Sequence, residues 1–314
     1  TVYSIGGGEL AEEGVPPRQA EEIYEMNTLD EILAWCRRTG RTYWEYVEEC
    51  EPDDIWDYLA EIWQAMRESV ERGLDHEGVL PGPLHLTRRA ATYHVRASGY
   101  KQSLQSRGLV FAYALAVAEE NASGGRIVTA PTCGSSGVVP AVLYHLQKSR
   151  GFSDARIYRA LATAGLFGNV VKHNASISGA EVGCQGEVGV ACAMAAAAAN
   201  QLFGGSPSQI EYAAEMGLEH HLGMTCDPVC GLVQRLRCGP RARRQPLFGL
   251  HRRRTPRLVR PRGRGDETDG ARPSLDLQGD GRGRTGTGVR SRQVTMRGGT
   301  LSRVPPRCLV RKNQ

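Results

Sequence analysis

A change in residue type after Gln234 limits what this chain can fold into more than any other feature of its sequence. Residues 221–234, HLGMTCDPVCGLVQ, set cysteines among small and apolar residues, whereas the next ten, RLRCGPRARR, are dominated by arginine. Residues 235–314 hold 21 arginines and one lysine against five acidic residues, so they carry +17 while residues 1–234 carry −12. Such a segment buries too little apolar side chain to offset its ordering entropy. We therefore predict a domain that ends at residue 234 and a disordered basic tail.

Helix-capping signals and helical periodicity dominate the predicted domain. Thr28 and Glu31 are spaced as a capping box, and Gly40 is placed as the stop of the same helix. Ser153 and Ser206 are placed as N-caps, the second of them followed by proline. Apolar residues recur at helical spacing at Ile55, Leu59, Ile62, Met66 and Val70. Strand signals are scarce after the opening TVYSIGGG, which predicts a strand end and a glycine linker, so the predicted class is mainly α.

Two turns rich in glycine and serine run directly into predicted helices. One is TCGSSG, residues 132–137, and the other is SGAEVG, which precedes an alanine-rich helix. Helix N-termini favour anions because free N–H groups and the helix dipole point at the ligand. A small carboxylate could therefore bind at the first turn, with the candidate residues Thr132, Gly134, Ser135 and Ser136. An ordinary tight turn uses the same residues and is the commoner explanation of such a motif taken alone.

The nine cysteines are too widely scattered for the disulfide framework of a small secreted protein, which favours a reducing compartment and thiol or metal chemistry. Cys184 lies where the second turn meets the alanine-rich helix, a position that favours a thiolate or a thiolate-bound metal. Cys226 lies in the turn TCDPVCG. Two cysteines cannot complete a tetrahedral zinc site by themselves, and their spacing is not that of common ferredoxin motifs. Cys36, Cys50 and Cys192 fit ordinary core packing.

The sequence shows no signal peptide, and its longest apolar run, residues 188–199, is short for a membrane span. We therefore expect a cytoplasmic protein with no membrane partner. Clustered arginines in the tail could bind nucleic acid, but the tail has one aromatic residue, Phe248, on which a base could stack. We therefore disfavour a nucleic-acid partner, and a non-catalytic fragment whose basic tail binds nucleic acid stays open as an alternative function.

Three motifs, in chain order, carry a resemblance to a known family: APTCGSSGVVPAVL, GNVVKHNASISGAEVGCQGEVG and EHHLGMTCDPVCGLVQ. Together they resemble the catalytic domain of the iron–sulfur-dependent L-serine dehydratases, over roughly residues 1–234. The resemblance implies elimination of water from L-serine to give pyruvate and ammonia. It also implies a [4Fe–4S] cluster held by three cysteines with one iron left open. Residues 1–8 resemble the end of that family's N-terminal β domain, and residues 9–234 its helical catalytic domain.

The resemblance assigns the metal ligands to Cys184 and Cys226, with the third ligand expected at position 237. That position is Arg237, and Cys238 follows it as the remaining candidate. The sequence from 235 to 314 departs from the family altogether, and Arg, Gly and Pro have GC-rich codons. We therefore predict that residues 235–314 are translated out of frame, and that the chain shows little or no serine deamination.

Substrate contacts are predicted from the TCGSSG turn and from Asn174, Ser176 and Ser178, which lie before Cys184. The candidates for the general base are His173 and Lys172. A base supplied by the family's β domain is the third possibility. A pyridoxal-phosphate dehydratase using Lys172 as its Schiff-base lysine is the alternative, disfavoured because such folds alternate strands with helices. Whether threonine is also a substrate, and whether the protein is a homodimer, stay open.

Overall fold

Most of the chain that the computed structural model describes is α-helical; the described residues are 2–6, 9–12, 23–224, 228–229 and 232–233. The helices are α1 (Leu29–Thr39), α2 (Tyr43–Cys50), α3 (Ile55–Asp75), α4 (Ala90–Ser98), α5 (Gln102–Ala122), α6 (Val138–Arg150), α7 (Asp154–Asn174), α8 (Gly179–Leu202) and α9 (Pro207–Glu219). The strands are β1 (Val2–Gly6), β2 (Glu9–Glu12), β3 (Pro228–Val229) and β4 (Leu232–Val233), paired as two antiparallel hairpins. The predicted mainly α class is confirmed. The tail predicted over 235–314 lies outside the described residues.

The opening residues form a hairpin where a strand and a glycine linker were predicted. Val2 pairs with Glu12 and Tyr3 with Ala11, so the chain reverses after Gly6 and returns as β2. The strand before the glycines is confirmed, but β2 was missed. Its sequence, ELAE, has none of the β-branched or aromatic residues that predict a strand.

The helix boundaries follow the local signals in the sequence. At the start of α1, the Glu31 N–H donates to Thr28 Oγ1 at 3.3 Å, and the Thr28 N–H donates to Glu31 Oε2 at 3.1 Å. This reciprocal capping box satisfies N–H groups that have no partner inside the helix. Gly40 ends α1 at φ 73, a left-handed conformation that glycine adopts without steric cost. Ser206 and Pro207 begin α9 as predicted.

Helix α8 lies in the core and packs against α6, α7 and α9. Seven of its residues 191–199 are alanine, so neighbouring backbones approach it closely. A Cβ added to Gly217 of α9 would lie 3.0 Å from the carbonyl oxygen of Cys192, and one on Gly168 of α7 would lie 3.0 Å from Met194 Sδ. Both distances are at the lower limit for real carbon contacts, so small residues on α7 and α9 allow this packing.

Residues Glu181–Leu202 of α8 are long and apolar enough to cross a membrane by length and composition, although no membrane span was predicted. The fold buries 61% of the most apolar window of this helix. Burial against three neighbouring helices is what a core helix shows. We therefore interpret α8 as the central helix of the core.

Two adjacent buried carboxylates hold the segment between α3 and α4. Glu119 is fully buried and accepts from the backbone N–H of Arg89 at 2.6 Å, at the start of α4. Glu120 accepts from the guanidinium groups of Arg72 at 3.2 Å and Arg88 at 3.1 Å. Burial by itself would raise the pKa of Glu120, but hydrogen bonds from its basic neighbours outweigh it and lower that pKa. The carboxylates therefore fasten this irregular segment to α5.

The close approach of α3 and α5 gives a stability test. A Cβ on Gly73 of α3 would lie 2.2 Å from the carbonyl oxygen of Ala116, so we expect Gly73→Ala to lower the free energy of unfolding by about 1–3 kcal/mol or more. Gly165 of α7 has no atom within 4 Å of the same position, so Gly165→Ala is the matched control. It should raise stability by up to about 1 kcal/mol, because alanine favours a helix interior. Urea denaturation measures both, and equal stability of the two variants would contradict this account of the packing.

Candidate functional site

The backbone of α8 is interrupted at Gly183, next to the predicted ligand Cys184. Gly183 has φ 73 and ψ 178, a conformation open in practice to glycine alone. It separates a short first turn, residues 179–182, from the main helix, which restarts at Cys184. The predicted position of Cys184 at the junction of a glycine-rich turn and a helix is therefore what the structure shows. A helix N-terminus favours negative charge, including that of a thiolate.

The sulfur of Cys184 is disulfide-bonded. Thiol or metal chemistry at the cysteines stays a prediction. A disulfide and a shared metal both require a second cysteine sulfur beside Cys184, so the bond is compatible with the predicted ligand position. Metal ligation requires the reduced thiolate. Cys36, Cys50, Cys133 and Cys192 are thiols, and burial raises the pKa of Cys36 to about 11 and of Cys192 to about 12.

The TCGSSG turn is a compact, largely buried loop in front of α6. Thr132, Ser135 and Ser136 are each less than 5% exposed, and Gly134 is partly exposed. The Ser136 hydroxyl donates to the carbonyl oxygen of Cys133 at 2.6 Å, and the Asn121 side-chain amide donates to the same oxygen at 3.1 Å. The loop therefore has a fixed shape at the start of a helix, as anion binding requires.

The carboxylate of Glu187, which was not among the predicted site residues, joins this loop to α8. The Thr132 hydroxyl donates to Glu187 Oε1, and the hydroxyls of Thr132 and Ser135 lie 3.1 Å apart. A Cβ on Gly179 would lie 2.7 Å from Glu187 Oε2, so the turn before Cys184 also approaches this carboxylate. Glu187 follows Cys184 by three positions, which places both on one face of the helix. The only sequence signal was an acidic residue inside an otherwise small and apolar helix.

A third segment, the one that leads to Cys226, also reaches the start of α8. The backbone N–H of Gly223 donates to Gln185 Oε1 at 2.8 Å. Cys226 follows Gly223 by three positions, a distance of at most about 11 Å along a fully extended chain. The chain is therefore held close to Cys184 just before Cys226. Cys226, Arg237 and Cys238 lie outside the described residues.

Several predicted site residues belong to the connection between α7 and α8. The Asn174 amide donates to the carbonyl oxygens of Asn27 at 2.7 Å and Val170 at 2.9 Å. Ser176 Oγ accepts from the backbone N–H of Ser178 at 3.1 Å. These contacts tie the end of α7 to the segment before α1 and shape the turn before α8. They give Asn174 and Ser176 structural roles, and their contact with substrate stays a prediction.

The two candidate bases lie in the last turn of α7. Lys172 is partly exposed and His173 is exposed. Positive charge in the last turn of a helix is also favourable without any catalytic role, because it complements the helix dipole. The assignment of the base therefore stays a prediction.

His221 packs beside the main part of α8 and shows a defined tautomer. Its Nδ1 lies 2.8 Å from the carbonyl oxygen of Gly217, which can only accept, so Nδ1 carries the proton. Its Nε2 lies 3.5 Å from the sulfur of Cys192, whose raised pKa keeps it protonated as a donor. Burial lowers the pKa of His221, as does the charge of His220, while the bond to Gly217 opposes them. A neutral His221 is therefore part of the packing between α8 and α9.

Of the three predicted sulfur ligands, Cys184 is the one that lies among the described residues. Within residues 23–224 no group of three or more His, Cys, Asp or Glu side chains could hold a metal ion. A cluster site would need the cysteines that follow Gly223, and the described chain leads toward the first of them.

The domain is mainly helical, its helix α8 restarts at a cysteine, and a serine-rich loop binds the same helix through Glu187. These features agree with what comparison with known proteins shows. The family model described as serine dehydratase alpha chain matches residues 15–241, and this chain belongs to that family. The L-serine dehydratase of Streptomyces coelicolor is 47% identical over 248 residues, which is 74% of this chain and 54% of that protein. L-serine dehydratase 1 of Escherichia coli is 48% identical over 248 residues, 74% of this chain and 55% of the relative. The L-serine dehydratase of Haemophilus influenzae is 43% identical over 249 residues, with 74% and 54% covered.

The family predicted from the three motifs is confirmed by these matches. The chain spans about half the length of the curated relatives it matches. The comparisons give no support to the pyridoxal-phosphate alternative. The roles of the individual site residues stay predictions.

Proposed function

We propose that this chain supplies the helical part of an L-serine ammonia-lyase, which removes water from L-serine and yields pyruvate and ammonia. The proposal is supported by family membership and by the names of the similar curated proteins, all L-serine dehydratases. The observation that carries it is the meeting of three motifs at the start of α8. Thr132 reaches Glu187, Cys184 begins the helix, and Gly223 binds Gln185.

The cofactor of the proposed enzyme is a [4Fe–4S] cluster with Cys184 and Cys226 as ligands. Cys238 is the remaining cysteine candidate for the third ligand, because Arg237 stands at the expected position. When bound, a cluster with one iron open supplies a Lewis acid for the substrate hydroxyl, which is otherwise a poor leaving group. The helix N-terminus at Cys184 contributes by favouring the thiolate form that metal ligation needs.

The protein's own groups bind the substrate and move one proton. The loop at residues 132–136 receives the carboxylate of L-serine, with Ser176, Ser178 and Asn174 as further predicted contacts. His173 or Lys172 takes the proton from the α-carbon. The electron pair of that C–H bond becomes the Cα–Cβ double bond as the Cβ–oxygen bond breaks. The oxygen leaves with the bonding electrons as hydroxide and takes up the proton held by the base to form water. The product, 2-aminoacrylate, tautomerises to an imine and is hydrolysed to pyruvate and ammonia. We place this reaction in the cytoplasm.

We also propose that residues 235–314 come from a shifted reading frame, which would replace the third ligand. Support comes from the change in composition after Gln234 and from the end of the family match at residue 241. The nucleotide sequence of codons 230–240 tests this in all three frames. A Pro-Cys pair that emerges near codon 237 in another frame would support the shift. A single intact frame shared by related genes would contradict it.

The cluster ligand assignment is tested on the full chain after anaerobic reduction and reconstitution with iron and sulfide. We expect Cys184→Ser to lose at least half of the bound iron and the broad visible absorption, because an alcohol is a much poorer ligand for iron than a thiolate. Cys50→Ser is the matched control, since Cys50 is a partly buried thiol on α2 and should bind iron as the unchanged chain does. Pyruvate formation from L-serine is followed in parallel and should be low or absent with Arg237 in place.

Equal iron content in the unchanged chain and in Cys184→Ser would contradict the ligand assignment. A pyridoxal absorption band in a protein without iron would contradict the cluster and support the alternative cofactor. Rapid turnover of L-serine by the chain as it stands would contradict the prediction of low activity and would support the proposed reaction.

A further inference from the structure

The buried carboxylate of Glu187 has no part in the chemistry proposed above. It is 3% exposed and lies one turn after Cys184 on the same helix face. Its contact with Thr132 joins two segments that are 55 positions apart in the chain. Burying a carboxylate is costly unless hydrogen bonds compensate, so this link needs a structural or functional reason.

The direction of the hydrogen bonds in the loop follows from Glu187. The Thr132 hydroxyl donates its single proton to the carboxylate oxygen Oε1 of Glu187. Ser135 then donates toward Thr132, whose hydroxyl lies 3.1 Å away and whose carbonyl oxygen lies 3.5 Å away. Ser136 directs its own proton to the carbonyl oxygen of Cys133 at 2.6 Å. All three hydroxyl protons of the loop therefore point into the protein.

These directions change which groups of the loop can bind an anion. A substrate carboxylate needs hydrogen-bond donors. The protons of the three loop hydroxyls already bond to acceptors inside the protein. The backbone N–H groups at the start of a helix have no partner inside that helix. The groups left for a carboxylate are therefore the backbone N–H groups where the loop enters α6.

We propose that Glu187 is a positioning residue that holds the carboxylate-binding loop against the first turn of the main α8 helix. It acts through Thr132, directs the loop hydroxyls inward and leaves the backbone N–H groups to bind the substrate carboxylate. Because Cys184 lies on the same turn, Glu187 also fixes the spacing between the carboxylate site and the metal ligand. A fixed spacing restricts the site to a small amino acid. This inference rests on the proposed function.

The thiol of Cys133 gives a direct probe of the loop in the full chain. Cys133 lies inside the loop and is partly buried, so its rate of alkylation by iodoacetamide reports how often the loop opens. Cys50 on α2 serves as the internal reference in the same digest, and mass spectrometry of the peptides measures both rates.

We expect Thr132→Val to raise the alkylation rate of Cys133 about tenfold, since it removes the donor and leaves a buried carboxylate less satisfied. Thr132→Ser keeps the hydroxyl and should restore the rate to near that of the unchanged chain. Glu187→Ala should raise the rate as Thr132→Val does, and combining the two should add little, because both break one link. Glu181→Gln, at an exposed carboxylate on the same helix, is the matched control and should change nothing.

L-serine is the second probe and separates this inference from the proposed function. In the unchanged chain, millimolar L-serine should slow alkylation of Cys133, and in Thr132→Val the concentration needed should rise about tenfold. If L-serine gives no protection but the variants still open the loop, the proposed substrate is wrong and the positioning role stands. If L-serine protects but Thr132→Val and Glu187→Ala leave the alkylation rate and the protecting concentration within twofold of the unchanged values, the positioning role is wrong.

Discussion

At Gly183 the backbone takes a conformation that L-residues avoid, and the helix restarts one residue later at Cys184. The rest of the candidate site depends on this restart. The first turn of the restarted helix holds Cys184, Gln185 and Glu187. The position of each side chain follows from where the helix restarts. Gln185 binds the segment that precedes Cys226, and Glu187 binds the serine-rich loop. A continuous helix through this position would turn these side chains away from their partners.

The core next to the site supports the helix that restarts at Cys184. Helix α8 is built from small side chains, so α7 and α9 approach its backbone through Gly168 and Gly217. Close packing of this kind transmits strain and resists small shifts. The neutral His221 joins the two helices, because it bonds to Gly217 of α9 and contacts the sulfur of Cys192 of α8. The elements that carry the chemistry are thus anchored to one helix, although they come from distant parts of the sequence.

Local signals in the sequence predicted the helix ends and the place of Cys184. The helix caps at Thr28, Glu31 and Gly40 depend on contacts within one turn of the chain. They could therefore be predicted without knowledge of the fold. Glu187 could not be found in this way, because its partner Thr132 is 55 positions away. The same holds for Gly223 and Gln185, which are 38 positions apart. Asn174 was predicted to contact substrate, and the structure shows its amide bound to backbone oxygens.

The amide hydrogen exchange rate of Gly223 in a Gly183→Ala variant tests the central claim most directly. The Gly223 N–H is bonded to Gln185 Oε1, so its protection depends on where the helix restarts. Strain of about 1–3 kcal/mol at residue 183 predicts exchange at least about fivefold faster at Gly223. The amide of Met66, in the distant core helix α3, should exchange at an unchanged rate. Unchanged protection of Gly223 in the variant would contradict the account.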